Sequence, residues 1–238
     1  MQLTNEIAEC AGLWLAEGDN KTKTEVTFTN NCFDLIMFFH STIRSIYAGT
    51  NKPRIYVYSP SPRKLYGHIG DIRVNYYQDR RANRSYYIYR LSDVKFIKQW
   101  RSIVNIAKET EQFYPEILRG FFAGEGNVKH DLKNHNSRQI RISQSSRDEF
   151  TEKLLTFFNI KYSFKPAHRS YWISASQLDK VDTINIASLH PEKEAKFRSM
   201  INSVKEKHYP EFVLEKKVAA ALSEFSRSQD LANRTYTY

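Results

Sequence analysis

The chain has 238 residues, a formal net charge of +10 and a pI near 9.5. With 41% hydrophobic and 14% aromatic residues it can bury a real core, in one large domain or two of about 100–150 residues. No run of about 18 apolar residues occurs, which argues against a helical membrane span, and Met1 to Glu6 lacks the basic and apolar regions of a signal peptide. The two cysteines, Cys10 and Cys32, both fall in expected helices. That argues against a disulfide framework and fits a reducing compartment, cytoplasmic or organellar. The positive balance points to a polyanionic partner, nucleic acid first.

In chain order, Thr4 or Asn5 caps a first helix that runs to about Glu17. Asp19 to Thr24 is a polar turn, and Glu25 to Thr29 alternates with Val26 and Phe28 on one face. Cys32 to Tyr47 reads as an amphipathic helix with Leu35, Ile36, Phe39, Ile43 and Ile46 inward. Pro53 to Ser59 is a strand with Ile55 and Val57 opposite Arg54, Tyr56 and Tyr58. Asp71 to Tyr77 alternates again, with Ile72, Val74 and Tyr76 opposite Arg73, Asn75 and Tyr77. Asp79 to Arg84 is expected as a basic hairpin tip, with Ser85 to Leu91 as the return strand. Asp93 caps a helix through about Lys108.

The second half repeats the plan. Pro115 suits a helix start, Lys129 to Arg138 reads as a basic loop, and Gln139 to Gln144 as a strand with Ile140 and Ile142 inward. Ser146 is expected to cap a helix from about Arg147 to Phe158. Lys161 to Lys165 and Ser170 to Ala175 form a hairpin around His168 and Arg169. Helices at about Gln177 to Ser188 and Pro191 to Lys207 follow, then one at about Glu211 to Phe225 and a polar tail.

Two stretches organise this order. Cys10-Ala11-Gly12-Leu13-Trp14-Leu15-Ala16-Glu17-Gly18 and Leu118-Arg119-Gly120-Phe121-Phe122-Ala123-Gly124-Glu125-Gly126 share one pattern, and their glutamates are 108 residues apart. As helices, each puts small residues four apart on one face: Gly12 with Ala16, Gly120 with Gly124. Such a face lets two backbones approach closely. Each helix then stops at the next glycine, Gly18 or Gly126, a common C-terminal cap. A glutamate at a helix C-terminus opposes the helix dipole, at a cost of roughly 0.3–1 kcal/mol. Its recurrence at matching positions suggests a use for the charge.

The duplicated motif resembles that of the LAGLIDADG homing endonucleases. The resemblance covers roughly residues 4 to 207, and departs from the family consensus at Cys10, and at Leu15 and Ala123 where that consensus carries its other aspartate. It implies an α+β fold of two pseudo-symmetric αββαββα repeats, with antiparallel sheets forming a DNA-binding saddle and the two motif helices packed at the centre. The boundaries it implies are 1–110, 111–207 and a C-terminal 208–238. It maps Glu17 and Glu125 onto the family's metal-binding acids, with nearby backbone carbonyls (Ala16, Gly124) and a phosphate oxygen completing a Mg²⁺ site. Mn²⁺ is expected to substitute, and Ca²⁺ to bind without supporting cleavage. Lys21, Asn30, Lys129 and Gln144 are candidates to orient water or neutralise the transition state, by their positions after each motif and strand.

The strands put Arg, Lys, Tyr, Asn, Gln or Ser on one face, and Glu25 is the one acid on those faces. Such a face suits a major groove. Arg54, Tyr56, Tyr58, Arg73, Asn75, Tyr77, Arg138, Gln139, Arg141 and Ser143 are the candidate readers, with Lys161 and Lys165 beside them. Lys64, Arg80, Arg81 and Arg169 at the tips would reach phosphates. Seven histidines are scattered, and His130 with His135 lacks further ligands at zinc spacing. The reading is therefore a monomeric, metal-dependent endonuclease acting on a long asymmetric double-stranded DNA site, free-standing or intron-encoded. The alternative is a non-cleaving module on the same scaffold, an intron RNA maturase or a DNA-binding regulator.

Overall fold

The structure is a computed structural model that describes residues 2–62, 67–130 and 138–208. Lys64, His135, the expected helix at about 211–225 and the polar tail lie outside the described residues. The first half runs α1 (Asn5–Glu17), β1 (Glu25–Asn30), α2 (Phe33–Ile46), β2 (Arg54–Ser59), β3 (His68–Ile69), β4 (Ile72–Gln78), β5 (Tyr86–Ser92) and α3 (Val94–Glu109). The second runs α4 (Tyr114–Glu125), β6 (Gly126–His130), β7 (Arg138–Ser143), α5 (Glu149–Phe157), β8 (Tyr162–Lys165), β9 (Ser170–Ser174), α6 (Leu178–Thr183) and α7 (Pro191–His208). Among the described residues no helix is long and apolar enough to cross a membrane.

The motif helices α1 and α4 lie side by side at the centre. A β-carbon added to Gly12 would meet the Ile117 carbonyl oxygen at 2.2 Å, and one added to Gly120 would meet that of Glu9 at 1.9 Å. These two contacts are one contact repeated, because both pairs are related by the same 108-residue offset. Nearer the helix ends Gly124 faces its own counterpart, Ala16, with an added β-carbon 2.6 Å from the Ala16 Cβ. Only residues without a side chain let the backbones touch at Gly12 and Gly120.

The helices end as the sequence indicates, for a different local reason. Gly18 and Gly126 are extended, at φ −83° and −74°, not left-handed. A side chain at either would collide with an aromatic ring one turn back, at 2.3 Å from Trp14 or Phe122. The glycines therefore admit the ring and let the chain leave directly into strand pairing, Gly18 opposite Phe28 and Gly126 opposite Ile142.

Each half builds one sheet. The first has the order β1-β5-β2-β4-β3 and the second β6-β7-β9-β8. The buried face of the first carries Val26, Phe28, Ile55, Val57, Ile72, Val74, Tyr89 and Leu91. These pack under α2 and α3 around a ring cluster in which Phe39 stacks on Phe28 at 4.6 Å and meets Trp100 edge-on at 6.0 Å. The second sheet buries Val128, Ile140, Ile142, Tyr171 and Ile173.

The second half follows the αββαββα order that the resemblance implies, and the first departs from it. β5 is not the return strand of a β4 hairpin: it lies between β1 and β2, antiparallel to both, while β4 pairs with β2 in parallel. Asp79 to Arg84 turns, as its composition dictates, but carries the chain over the end of β2. There the Asp79 amide donates to the Ser59 carbonyl at 2.9 Å and the Ser85 hydroxyl to that of Ser59 at 3.2 Å. Tyr58 on β2 stacks with Tyr86 at 4.9 Å on one side and Tyr77 at 5.3 Å on the other, which fastens β2 in the middle. The remaining pairs in both sheets are antiparallel.

Three local readings are also corrected. Gly126 to His130 is strand β6, hidden in the sequence because Val128 is its one buried apolar side chain. The cap of α5 is Asp148, not Ser146: its carboxylate accepts from the Thr151 amide and hydroxyl, both at 2.7 Å, and an anion suits a helix N-terminus better than a hydroxyl. The helix expected to reach Ser188 stops at Thr183, and Asn185 then takes a left-handed backbone at φ 54°.

Candidate active site and nucleic-acid interface

Because α1 and α4 run the same way and converge at Ala16 and Gly124, their C-terminal glutamates are brought together. A β-carbon on Gly124 would lie 2.9 Å from the Glu17 Cγ, so the Glu17 stem packs on the end of the opposite helix. Burial pushes both carboxyls above the usual carboxylate range. Glu125 is raised to about 7, by burial first and the neighbouring Glu17 charge second, against the pull of Lys193. Glu17 is raised by burial and held back by Lys193. Among the described residues neither carboxylate accepts a hydrogen bond or forms an ion pair.

Each glutamate opens into a different cleft. Glu17 shares one with Asn30, Ala123, Gly124, Lys193, Lys196 and His190, and its lining includes the exposed ion pair Arg84–Glu192 at 3.7 Å. Glu125 shares the other with Leu15, Ala16, Ser143, Gln144, Ser145 and Arg169. Each cleft therefore joins one motif acid to residues at the end of the other motif helix.

The four auxiliary candidates divide accordingly. Asn30, at the end of β1, lines the Glu17 cleft, with its Oδ1 accepting from the Cys32 amide at 2.8 Å. Gln144, following β7, lines the Glu125 cleft, with its backbone N–H donating to the Arg169 carbonyl at 2.7 Å. Lys129 lies in a neighbouring groove with His130, Lys196 and Ser199. Lys21 is exposed in the turn after α1 and lines neither cleft.

Sequence reasoning missed Lys193. Its Nζ donates to the carbonyls of Phe122 at 3.1 Å, Ala123 at 2.6 Å and Gly124 at 2.8 Å, the last turn of α4. Burial lowers its pKa to about 8 while Glu17 and Glu125 oppose the fall, so it stays charged at neutral pH. No motif announces it; it is one lysine at the start of a charged helix, delivered from 69 residues away. His190, missed in the same way, lines the Glu17 cleft with its Nδ1 buried and unpartnered.

A divalent metal fits the donor set. Two carboxylates and helix-end carbonyls are hard oxygen ligands of the kind Mg²⁺, Mn²⁺ and Ca²⁺ take, and the Lys193 ammonium already stands as a cation on one of those carbonyls, that of Gly124. Among the described residues no group of three or more His, Cys, Asp or Glu side chains converges as a metal site, so carbonyl oxygens are needed to complete one. His130 contacts the hydroxyls of Ser199 and Ser203.

The outer sheet faces are basic and aromatic but not uniformly free. Glu25 binds Arg90 at 3.1 Å and lies 3.6 Å from Arg54, which also donates to the Ser92 hydroxyl at 2.7 Å. Two arginines of the first face are thus already paired within the protein. Tyr56, Tyr58, Tyr77 and Tyr86 form a stacked row beside them. On the second face Arg141 lies over the Trp172 ring at 4.2 Å and donates to Gln139 at 2.7 Å. Arg138 is turned toward α7, where it donates to the Ser203 carbonyl at 3.2 Å. Asn75 is half-buried on β4, while Arg73, Arg80, Arg81, Ser143, Lys161, Lys165 and Arg169 are exposed. Arg81 pairs with Asp79 at 3.5 Å.

No family model matches the chain, and no curated protein matches it in sequence. Solved structures do. The homing endonuclease I-DmoI in complex with DNA and Ca superposes with a TM-score of 0.51 at 16% identity, covering 80% of this chain and 96% of that one. Mesophilic variants of I-DmoI give a TM-score of 0.50 at 16% identity, covering 78% and 98%. The chain therefore has the fold of I-DmoI, a single-chain, two-motif LAGLIDADG homing endonuclease, and the resemblance read from the duplicated motif holds at the level of the fold.

Proposed function

We propose that the protein is a metal-dependent endonuclease that cuts double-stranded DNA at a long asymmetric site, as a monomer. One arrangement carries the reading: the repeat brings Glu17 and Glu125 together at the foot of one helix pair, each in a cleft with the end of the opposite helix. Two half-buried acids in mutual repulsion serve no evident structural purpose and suit a cation. The fold neighbour I-DmoI has been crystallised in complex with DNA and Ca, and a variant of it in complex with its target DNA in the presence of Mg, which supports DNA and a divalent ion as the partners here.

Within that reading Glu17 and Glu125 would hold a divalent metal with the Ala16 and Gly124 carbonyls. The chemistry it would supply there is stabilisation of charge on the attacking and leaving oxygens of a phosphodiester. Asn30 and Gln144, each in one cleft, orient water by hydrogen bonding. The exposed basic residues of the two outer faces bind phosphates, and the tyrosine row and Arg141 face the bases.

The test is incubation of the full chain with a randomised duplex library and Mg²⁺, followed by sequencing of double-strand breaks. Cutting at one long sequence supports the proposal. Specific binding with no cutting in either Mg²⁺ or Mn²⁺ would leave a nucleic-acid-binding module, an RNA maturase or a DNA-binding regulator.

A further inference from the structure

Lysine has three ammonium protons to donate, and Lys193 gives all three to consecutive carbonyls of α4: Phe122, Ala123 and Gly124. A lysine at a helix C-terminus is ordinarily a cap that satisfies orphan carbonyls and complements the dipole. Here two further facts bear on it. The ammonium sits in the same cleft as Glu17, and both Glu17 and Glu125 feel its charge while neither receives a hydrogen bond from it. The cation thus rests on the carbonyl half of a carboxylate–carbonyl ligand set and leaves the carboxylate half unpaired.

The other helix end is arranged differently. Among the described residues no lysine or arginine donates to the Ala16 carbonyl. Arg101 on α3, which follows the first sheet as Lys193 follows the second, reaches past the end of α1 to the Asn20 and Thr22 carbonyls. The cation of the Glu125 cleft is Arg169, whose amide donates to Pro166 and whose carbonyl accepts from Gln144 in the turn before β9.

We propose that Lys193 is a resident cation of the Glu17–Gly124 metal position, which a divalent ion displaces from the Gly124 carbonyl, so that the two metal positions differ in affinity. The inference rests on the metal site of the preceding section. A carbonyl oxygen has two lone pairs, so an ion and an ammonium could both touch it. Single and double positive charges a few ångströms apart in a half-buried cleft repel strongly, however, and the long, flexible lysine is the partner that can leave. The apparent affinity of this position is lowered by the fraction of time Lys193 occupies it.

The experiment measures metal binding by the full chain without DNA, at fixed pH, using Mn²⁺ followed by electron paramagnetic resonance. Melting with and without Ca²⁺ provides a second readout. The wild type should show two classes of site. Lys193→Met should melt lower than wild type without metal, bind the weaker Mn²⁺ about tenfold more tightly, the worth of roughly one net hydrogen bond, and recover more stability with Ca²⁺. Lys193→Arg keeps the charge and should keep the weak class, which makes the comparison usable if Lys193→Met folds poorly. A lower melting point with unchanged or weaker Mn²⁺ binding in Lys193→Met would make Lys193 an ordinary helix cap and overturn the inference alone, as would identical isotherms for the two variants. Failure of the wild type and both variants to bind Mn²⁺ would overturn the metal site itself, and this inference with it.

Discussion

A β-carbon on Gly120 would sit 1.9 Å from the carbonyl oxygen of Glu9 on the opposite helix, and no side-chain rearrangement can relieve that contact, because the atom it meets is backbone. Gly120→Ala should therefore destabilise the protein by about 3 kcal/mol or more, at or above the usual range for overpacking. Were the position an ordinary exposed helical glycine, alanine would stabilise by about 1 kcal/mol. Chemical denaturation separates the two outcomes by sign.

A second tie crosses the helix pair. Arg119 on α4 donates to Glu9 on α1 at 2.8 Å and to Glu116 at 2.9 Å, with all three side chains largely buried. Burial raises the Glu9 pKa even with Arg119 opposing it. Arg119→Met leaves two acids unpaired at neutral pH, and breaking a buried pair costs about 3–5 kcal/mol. The remedy for an unpaired acid is a proton, so the deficit of the variant should shrink as pH falls toward 5. Denaturation midpoints at pH 7 and pH 5 test this, and a deficit independent of pH would place the loss in packing instead.

The motif acids give the metal-free protein its own pH dependence. Glu125 titrates near 7 in the fold against an ordinary value of 4.5. Between those values the folded chain keeps a proton that the unfolded chain has released, so stability falls as pH rises through the window. Glu17, also raised, acts in the same direction. Lys193 acts oppositely and higher: it is lowered to about 8 from 10.5, so stability recovers as pH rises between those values. Melting in a chelator should thus fall from pH 5 to 7, and Glu125→Gln should flatten that fall. An unchanged slope in the variant would remove Glu125 as its source.

In the proposed nuclease, Glu17→Gln or Glu125→Gln should abolish double-strand cutting and leave duplex binding within about tenfold, since the sheet faces are untouched. Ca²⁺ should tighten duplex binding without cutting, because ion and phosphate share ligands and each then raises the affinity for the other. Glu17→Gln should weaken that effect. A wild type whose duplex affinity is indifferent to Ca²⁺ favours a non-cleaving binder.

The helices and strands were largely legible because they are local. Thr4, Asp93 and Pro115 stand at the helix starts where capping chemistry puts them. Gly12, Gly120 and Gly124 announce a close helix pair by spacing alone. The order of strands in the first sheet was not legible. β4 and β5 both alternate and are joined by a turn-rich segment, so nothing local says that β2 separates them. The two clefts were half legible: Asn30 and Gln144 follow from counting after each motif, whereas Lys193 and His190 reach the Glu17 cleft only through the path of α7.

The pairing of Glu25 with Arg54 and Arg90 makes a prediction about the outer faces that the sequence pattern alone does not. If these faces bind DNA, each free cation that meets a phosphate releases counterions and contributes about 0.9 to the slope of log affinity against log salt. Among the described residues Arg73 and Lys165 are exposed and carry no side-chain ion pair, so each alanine variant should lower that slope by about 0.9. Arg54 is held by Glu25 and Ser92, and on its removal Glu25 keeps Arg90. Arg54→Ala should therefore change the slope little. Glu25→Gln should do the reverse of a charge deletion: it frees two arginines on one face, raises duplex affinity and steepens the slope by about 1–2. Salt titrations of duplex binding with these four variants decide the matter. Equal slopes for Arg73→Ala, Lys165→Ala and wild type would mean that DNA does not lie on these sheets.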